Sequence, residues 1–323
     1  MWVAIPYGKK LLFSQSKYLK MQSFLYSILV DPETGNSLTF NPSTNTLTEI
    51  IHQKSFNIID QVPIILEYES NSPLMQTKIH KDFNSDFRYQ EHYQEDARVF
   101  DYFNVDHPVT NGENQKLHND ILKVIPKTSK IILDVGCGNA WVSKALIPEG
   151  KKVISMDIST INPINAIKRI AHKNHAGLVA DVFRIPIREL SIDCIIASEI
   201  IEHVTDPKAF ISNLIRLLVP GGKLIITTPY NEKIVSSLCV HCNKPTPHSA
   251  HIHSFNENNL KEFMPNQGIQ YSFKKLNNLY LIKTRVHTIL KLFPGFIWKF
   301  LDYSMNRLTN KALRLMIEIE KIK

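Results

Sequence analysis

The segment Lys130-Ile131-Ile132-Leu133-Asp134-Val135-Gly136-Cys137-Gly138-Asn139-Ala140 constrains this chain more than any other. It reads as a buried strand that runs into a glycine turn and then a helix. Glycine at 136 and 138 lets the backbone pass close to a ligand with no Cβ in the way. From Leu117 onward, apolar runs alternate with amphipathic ones. The further strands predicted are Lys152–Asp157, Ala176–Ala180, Asp193–Ser198 and Lys223–Thr228, with Ile269–Lys274 and Leu279–Arg285 as later candidates. Such alternation is the signature of βαβ units and a parallel sheet. The expected fold is therefore α/β and doubly wound, with a ligand crevice at the carboxyl ends of the strands.

Which ligand is a matter of what stands at those ends. A dinucleotide site wants a third glycine at position 141, where this chain has Trp141, so a nicotinamide dinucleotide is disfavoured. The second strand ends in Asp157-Ile158, a carboxylate able to accept from two ribose hydroxyls. The third ends in Asp181-Val182, suited to an adenine amino group and ring. The fourth runs into Ser198-Glu199-Ile200-Ile201-Glu202-His203-Val204. Asp206-Pro207 then supplies a helix cap with proline at the first helical position. Each acid alone is the ordinary solvated end of a strand. Three in order, each after a successive strand, point to a nucleoside-containing ligand.

Leu133-Asp134-Val135-Gly136-Cys137-Gly138, Ser198 to Val204 with Asp206-Pro207, and Pro220-Gly221-Gly222-Lys223-Leu224 resemble the motifs of class I S-adenosylmethionine-dependent methyltransferases, in the branch of ubiquinone-biosynthesis-type small-molecule enzymes. The resemblance covers roughly residues 115–285. It implies a seven-stranded Rossmann-like sheet whose last strand is antiparallel, and S-adenosylmethionine as cofactor. It also implies that Asp134, Gly136 and Gly138 line the methionine end, Asp157 and Ile158 the ribose, and Asp181 and Val182 the adenine. Ser198, Glu199 and Ile200 would form the floor near the sulfonium. The fifth strand leads into Thr228-Pro229-Tyr230, a different sequence from that of ubiquinone-type members. Glu202 and His203 are the candidate catalytic pair, for a general base where the acceptor is a hydroxyl. The alternative is a helix-start element bonded to a neighbouring loop.

Residues 21–70 read as short strands between turn-rich pieces, a small β module that resembles the zinc-ribbon domain fused to or partnering methyltransferases. Its four ligand positions hold Asp31, Thr34, Glu49 and His52 instead of cysteines, so the module is expected to be metal-free, serving as a docking or lid element. Residues 1–20 are expected to be a tail, with Met21 an alternative start, and 71–115 a connector with a helix around Tyr93–Tyr102. The methyltransferase domain is expected over 116–288, with an insertion at 231–255. In that insertion Cys239, Cys242, His248 and His251 could hold zinc. Equally, the stretch could be a metal-free acceptor loop in which Tyr230, His251 and His253 face the substrate.

Residues 289–323 are expected to form a basic, amphipathic, helical tail. Leu281–Lys323 carries nine Lys/Arg against three Asp/Glu, so it supplies +6 of the chain's net +8. That tail can lie on an anionic membrane or pack its apolar face on the sheet. Four cysteines make no disulfide framework, and the chain shows no signal peptide or spanning segment, so a cytoplasmic protein, peripheral to a membrane if the tail binds one, is expected. The acceptor is expected to be a small molecule, lipid or glycan. The rivals are a tRNA or protein methyltransferase, although no RNA-binding motif accompanies the charge, and a catalytically silent binding protein.

Overall fold

The computed structural model describes residues 23–66, 89–104, 108–238, 245–284 and 295–322. The expected tail at 1–20 therefore lies outside the described residues, as do residues 67–88. Four short strands come first, β1 (Thr39–Asn41), β2 (Thr46–Glu49), β3 (Lys54–Ile59) and β4 (Val62–Ile65), after a helical turn α1 (Ser23–Tyr26). Two helices follow, α2 (Tyr89–Val99) and α3 (Pro108–Val124). The alternating part then runs β5 (Ile131–Val135), α4 (Trp141–Leu146), β6 (Lys152–Asp157), α5 (Ile161–Arg169), β7 (His175–Ala180), β8 (Ile192–Ser198), α6 (Pro207–Leu217) and β9 (Leu218–Pro229). After a small hairpin, β10 (Ser236–Leu238) with β11 (Pro245–Pro247), come α7 (Glu257–Leu260), β12 (Ile269–Asn278), α8 (Leu279–Lys283), α9 (Gly295–Thr309) and β13 (Ala312–Lys321).

All strands except the small hairpin join one sheet, in the order β1-β2-β3-β4-β7-β6-β5-β8-β9-β13-β12. Strands β7, β6, β5, β8 and β9 are parallel, and β13 is antiparallel to both β9 and β12. The β7-to-β12 portion has seven strands, and the fold is mixed α/β as expected. Strands β5, β7 and β8 are covered on both faces, which is why they read as continuous apolar runs rather than alternating ones. One polar group set sits inside this core. His175 Nε2 lies 2.9 Å from both Ser143 Oγ and Ser155 Oγ, while its Nδ1 contacts the Ile170 carbonyl at 2.8 Å. Burial lowers its pKa to about 4, so the ring is neutral.

Two expectations about the C-terminal part are corrected. Leu279–Arg285 was expected as a strand, yet Leu279–Lys283 is helical, begun by Asn278 whose side chain accepts from Tyr280 N at 3.0 Å. The expected helical tail is a helix only over Gly295–Thr309, and Ala312–Lys321 is a strand. The edge of β9 is filled by that strand through seven registered pairs from Arg314↔Pro229 to Glu320↔Lys223. Backbone donors and acceptors on a buried edge must be paired, and β13 arrives from the far end of the chain to pair them. Its apolar residues Leu315, Met316, Ile317 and Ile319 are fully buried there.

The N-terminal β module is not a separate body. Strand β4 pairs parallel with β7, Ile64 opposite Val179 and Ile65 opposite Ala180, so the module extends the main sheet. At the positions where the resemblance places metal ligands, carboxylates close their own turns. Asp31 Oδ1 accepts from the N–H groups of Glu33 and Thr34 at 2.9 Å each. Glu49 accepts from Asn36 Nδ2 at 3.0 Å and from the N–H groups of Ile51 and His52. Both carboxylates are buried.

Candidate functional site

The carboxyl ends of β5, β6, β7 and β8 lie side by side along one edge of the sheet, where a ligand crevice is expected. Gly136 and Gly138 follow β5 with φ of +68° and +43°, the left-handed region that costs a residue with Cβ about 1–2 kcal/mol. A Cβ on Gly136 would stand 2.1 Å from Ile200 Cδ1, so the sharp turn has no room for a side chain. Gly136 N donates to the Met156 carbonyl at 2.9 Å, which ties the turn to β6. Trp141, where a dinucleotide site would need glycine, stacks flat on His118 with ring centroids 3.8 Å apart.

Asp134 is buried at the end of β5, and its Oδ2 has no hydrogen-bond partner among the described residues. Burial, with Asp157 nearby adding negative charge, raises its pKa to about 8. Asp157 at the end of β6 is held by its own helix start: Oδ1 accepts from Ser159 N at 2.9 Å and Oδ2 from Asn162 Nδ2 at 3.1 Å. Asp181 after β7 accepts from Phe183 N through Oδ1. Its Oδ2 accepts from Tyr89 Oη at 2.5 Å and Gln90 Nε2 at 3.0 Å, both on α2. Helix α2 therefore lies against this crevice, and Gln94 joins it to Thr160. Residues of the connector thus take part in the site, which the sequence reading missed, because polar and aromatic residues in an aperiodic stretch give no local sign of what they face.

Protonation of Asp134 gives a pH test. In the unfolded chain the carboxyl ionises near 3.8, and in the fold near 8, so between these values the native state binds the extra proton. Stability tied to this residue is full below about pH 4 and is lost as pH rises towards 8. Urea titrations across that range should show a steeper decline for the wild type than for Asp134→Asn. Parallel curves would mean that Asp134 ionises normally.

The second part of the site lies past β8. Glu199 sits at φ +58°, and its Oε2 is 2.5 Å from Arg314 Nε of β13. Holding a side-chain-bearing residue in this region stores backbone strain of the kind found at functional sites. Ser198 Oγ meets Thr227 Oγ1 at 3.0 Å. Glu202 is 1% exposed; its Oε2 accepts from Thr228 Oγ1 at 3.0 Å, while Oε1 has no partner among the described residues. Burial and the neighbouring Glu199 hold its pKa well above the usual carboxylate range. The Glu202 carbonyl also accepts from Ile252 N and His253 N, so the turn Ile201–His203 is indeed bonded to the neighbouring loop.

His203 Nδ1 lies 3.3 Å from the Ala250 carbonyl, which can only accept, so Nδ1 carries the proton and Nε2 keeps its lone pair. Burial, then His251, lowers the His203 pKa to about 4. The His203 ring meets those of Tyr93 and His251 edge to face, at 5.7 and 4.7 Å. His251 Nδ1 is 2.5 Å from Glu232 Oε2. Glu202, His203 and His251 bring ligand atoms within 4.8 Å of one another, a group that could hold a metal ion. The other proposed metal ligands, Cys239 and Cys242, lie outside the described residues, as does the side chain of His248.

Next to this group is a cavity of about 540 Å³. Its lining includes Glu199, Glu202, Tyr230, Glu232, His251 and Arg314. Of the residues expected on the acceptor side, Tyr230 and His251 line this cavity, and His253 packs against Phe255. One wall is formed by Asn310, Lys311, Ala312 and Leu313, from the segment expected to be a basic, amphipathic, helical tail.

Among curated proteins, the chain is 32% identical over 114 residues to a ubiquinone biosynthesis O-methyltransferase of Xylella fastidiosa, covering 33% of this chain and 45% of that one. It is 30% identical over 131 residues to the protein of that name from Dechloromonas aromatica, covering 36% and 55%. The chain thus spans about half the length of the curated relatives it matches. A solved structure, phosphoethanolamine N-methyltransferase 2 of Haemonchus contortus with S-adenosyl-L-methionine, is similar over 65% of this chain and 52% of its own, at 18% identity and a TM-score of 0.44. A family model described as a methyltransferase domain matches residues 109–271, half of the chain, and the chain therefore belongs to the methyltransferase-domain family.

Proposed function

We propose that this protein is an S-adenosylmethionine-dependent methyltransferase that methylates an oxygen of a small-molecule, lipid or glycan acceptor. The observation that carries the reading is the crevice at β5. A turn with no space for a Cβ stands beside a buried acid, Asp134, whose Oδ2 awaits a donor, and such an acid suits the cationic amino end of the cofactor. Asp157 would take the ribose hydroxyls and Asp181 the adenine amino group, with Ile158 and Val182 against the rings. Gly136, Gly138 and Ser198 to Ile200 would enclose the methionine end. When bound, the cofactor supplies an electrophilic methyl group, and the protein's main contribution is to hold the acceptor in line with it.

The cavity lined by Glu202, Tyr230 and His251 is the proposed acceptor site. His203 does not line this cavity; its ring, neutral at pH 7, meets the wall edge to face through His251. The O-methyltransferase names of the similar curated proteins support an oxygen acceptor. A second reading rests on Glu202 Oε1, which has no hydrogen-bond partner among the described residues. With His203 and His251 it could ligate a divalent cation that lowers the pKa of the acceptor hydroxyl.

One experiment tests both halves. Asp157→Ala should weaken S-adenosylmethionine binding at least about tenfold by calorimetry, since charge-assisted contacts are worth roughly 1.5–3 kcal/mol. Glu202→Gln should leave that affinity intact while methyl transfer to lysate acceptors fails. Unchanged affinity in Asp157→Ala would remove it from the site, and full turnover in Glu202→Gln would remove the cluster from catalysis.

A further inference from the structure

Helix α9 shows two unlike faces. Its inner face is anchored: the Trp298 ring lies 3.8 Å from Lys116 Nζ, Asp302 accepts from the backbone N–H groups of Asn277 and Asn278, and Asn306 bonds Asn278. Its outer face carries Phe296, Phe300 and Tyr303 at i, i+4 and i+7, and these rings are 70%, 68% and 65% exposed. Lys299 and Arg307 share that face and are exposed as well. No acidic residue falls on it, because the helix's one carboxylate, Asp302, is buried beneath. Three large rings in a row do not remain in water without a reason when a turn of the helix would have been free to carry polar residues.

We infer that this face of α9 docks on the surface of an anionic lipid bilayer. Aromatic rings flanked by long cationic side chains fit an interface where rings enter the headgroup boundary and cations meet lipid phosphates. Net charge points the same way, as Leu281–Lys323 supplies +6 and presents exposed Lys283 at the end of α8 and exposed Lys311 just past the end of α9. A protein partner is the poorer match. Three rings offer at most about 450–750 Å², below the roughly 800 Å² per partner of a standard interface. Docking is peripheral, since no helix among the described residues is long and apolar enough to cross a membrane.

The position of the helix gives the docking a purpose. The chain leaving its C-terminus, Asn310 to Arg314, lines the cavity beside Glu202 and His251. If that cavity is the acceptor site proposed above, its acceptor would be a lipid or lipid-linked molecule. The docking itself does not rest on that reading.

The test is sedimentation of the full chain with vesicles of phosphatidylcholine, alone or with about one third phosphatidylglycerol. Binding is expected only to the anionic vesicles and should weaken with salt. The combined variant Phe296→Ser/Phe300→Ser/Tyr303→Ser should bind about tenfold or more weakly, with an unchanged thermal transition, as the rings make no core. Lys299→Glu/Arg307→Glu keeps the rings and should lose binding too. S-adenosylmethionine affinity, measured on the same preparations, should not move in any variant. Its absence from all of them would count against the proposed enzyme and leave the docking result standing. The inference is overturned if the folded wild type ignores anionic vesicles, or if both variants bind as well as wild type. It is equally overturned if the wild type is a dimer that the ring variant makes monomeric.

Discussion

Gly136→Val is expected to abolish S-adenosylmethionine binding, lowering affinity by at least about a hundredfold, or about 2.7 kcal/mol. The backbone at 136 has φ +68°, which a β-branched residue tolerates least. The new Cβ would also collide with Ile200 Cδ1 and Cγ1, at 2.1 and 2.8 Å, and Ile200 is itself packed against the core. Either the turn opens or Ile200 is driven aside into the crevice, and both outcomes close the proposed cofactor path. Strain and overpacking together should cost roughly 2–5 kcal/mol of stability. Calorimetry reads the first effect and chemical denaturation the second. A folded Gly136→Val protein that binds with wild-type affinity would show that the cofactor does not pass this turn.

The largest purely structural effect is expected at Asp302. Its two oxygens accept from Asn278 N at 2.6 Å and Asn277 N at 3.1 Å, and a third contact reaches Asn306 Nδ2. Burial raises the Asp302 pKa, and the two backbone donors oppose that rise. Asn277 and Asn278 are 4% and 0% exposed, so water cannot replace the lost acceptor. Asp302→Ala leaves two buried N–H groups unpaired, each costing about 1–3 kcal/mol, for a loss of roughly 3–5 kcal/mol in urea denaturation. Asp302→Asn keeps one acceptor oxygen and should lose less. Cofactor affinity should hold in both, since these residues lie at the end of β12 and not at β5. A loss under about 1 kcal/mol for Asp302→Ala would mean the network does not anchor α9.

What the sequence determined by itself is local. The run from Lys130 to Ala140 carries its own strand, turn and helix start, because the apolar β5 residues, the two glycines and the following helical residues each prefer those states without help. Asp206-Pro207 likewise capped α6 where its chemistry says it should, with Asp206 Oδ1 accepting from Ala209 N at 2.9 Å. The acids at 134, 157 and 181 were legible because strand ends in a parallel sheet all point to one edge, so spacing along the chain becomes proximity in space.

Tertiary structure decided the rest. Ala312–Lys321 pairs with the open edge of β9, about ninety residues upstream, and the alternation Ile317-Glu318-Ile319-Glu320 is a local strand signal that the reading of a helical tail passed over. Arg314 reached Glu199 by the same route, bringing a cation from the tail to the strained end of β8. Helix α2 came to Asp181 through Tyr89 and Gln90, and the wall of the cavity came from Asn310 to Leu313. Local preference selects a turn or a helix, since its energy is spent within a few residues. Edge pairing, burial of charge and the closing of a cavity depend on which distant surface arrives, and only the folded chain fixes that.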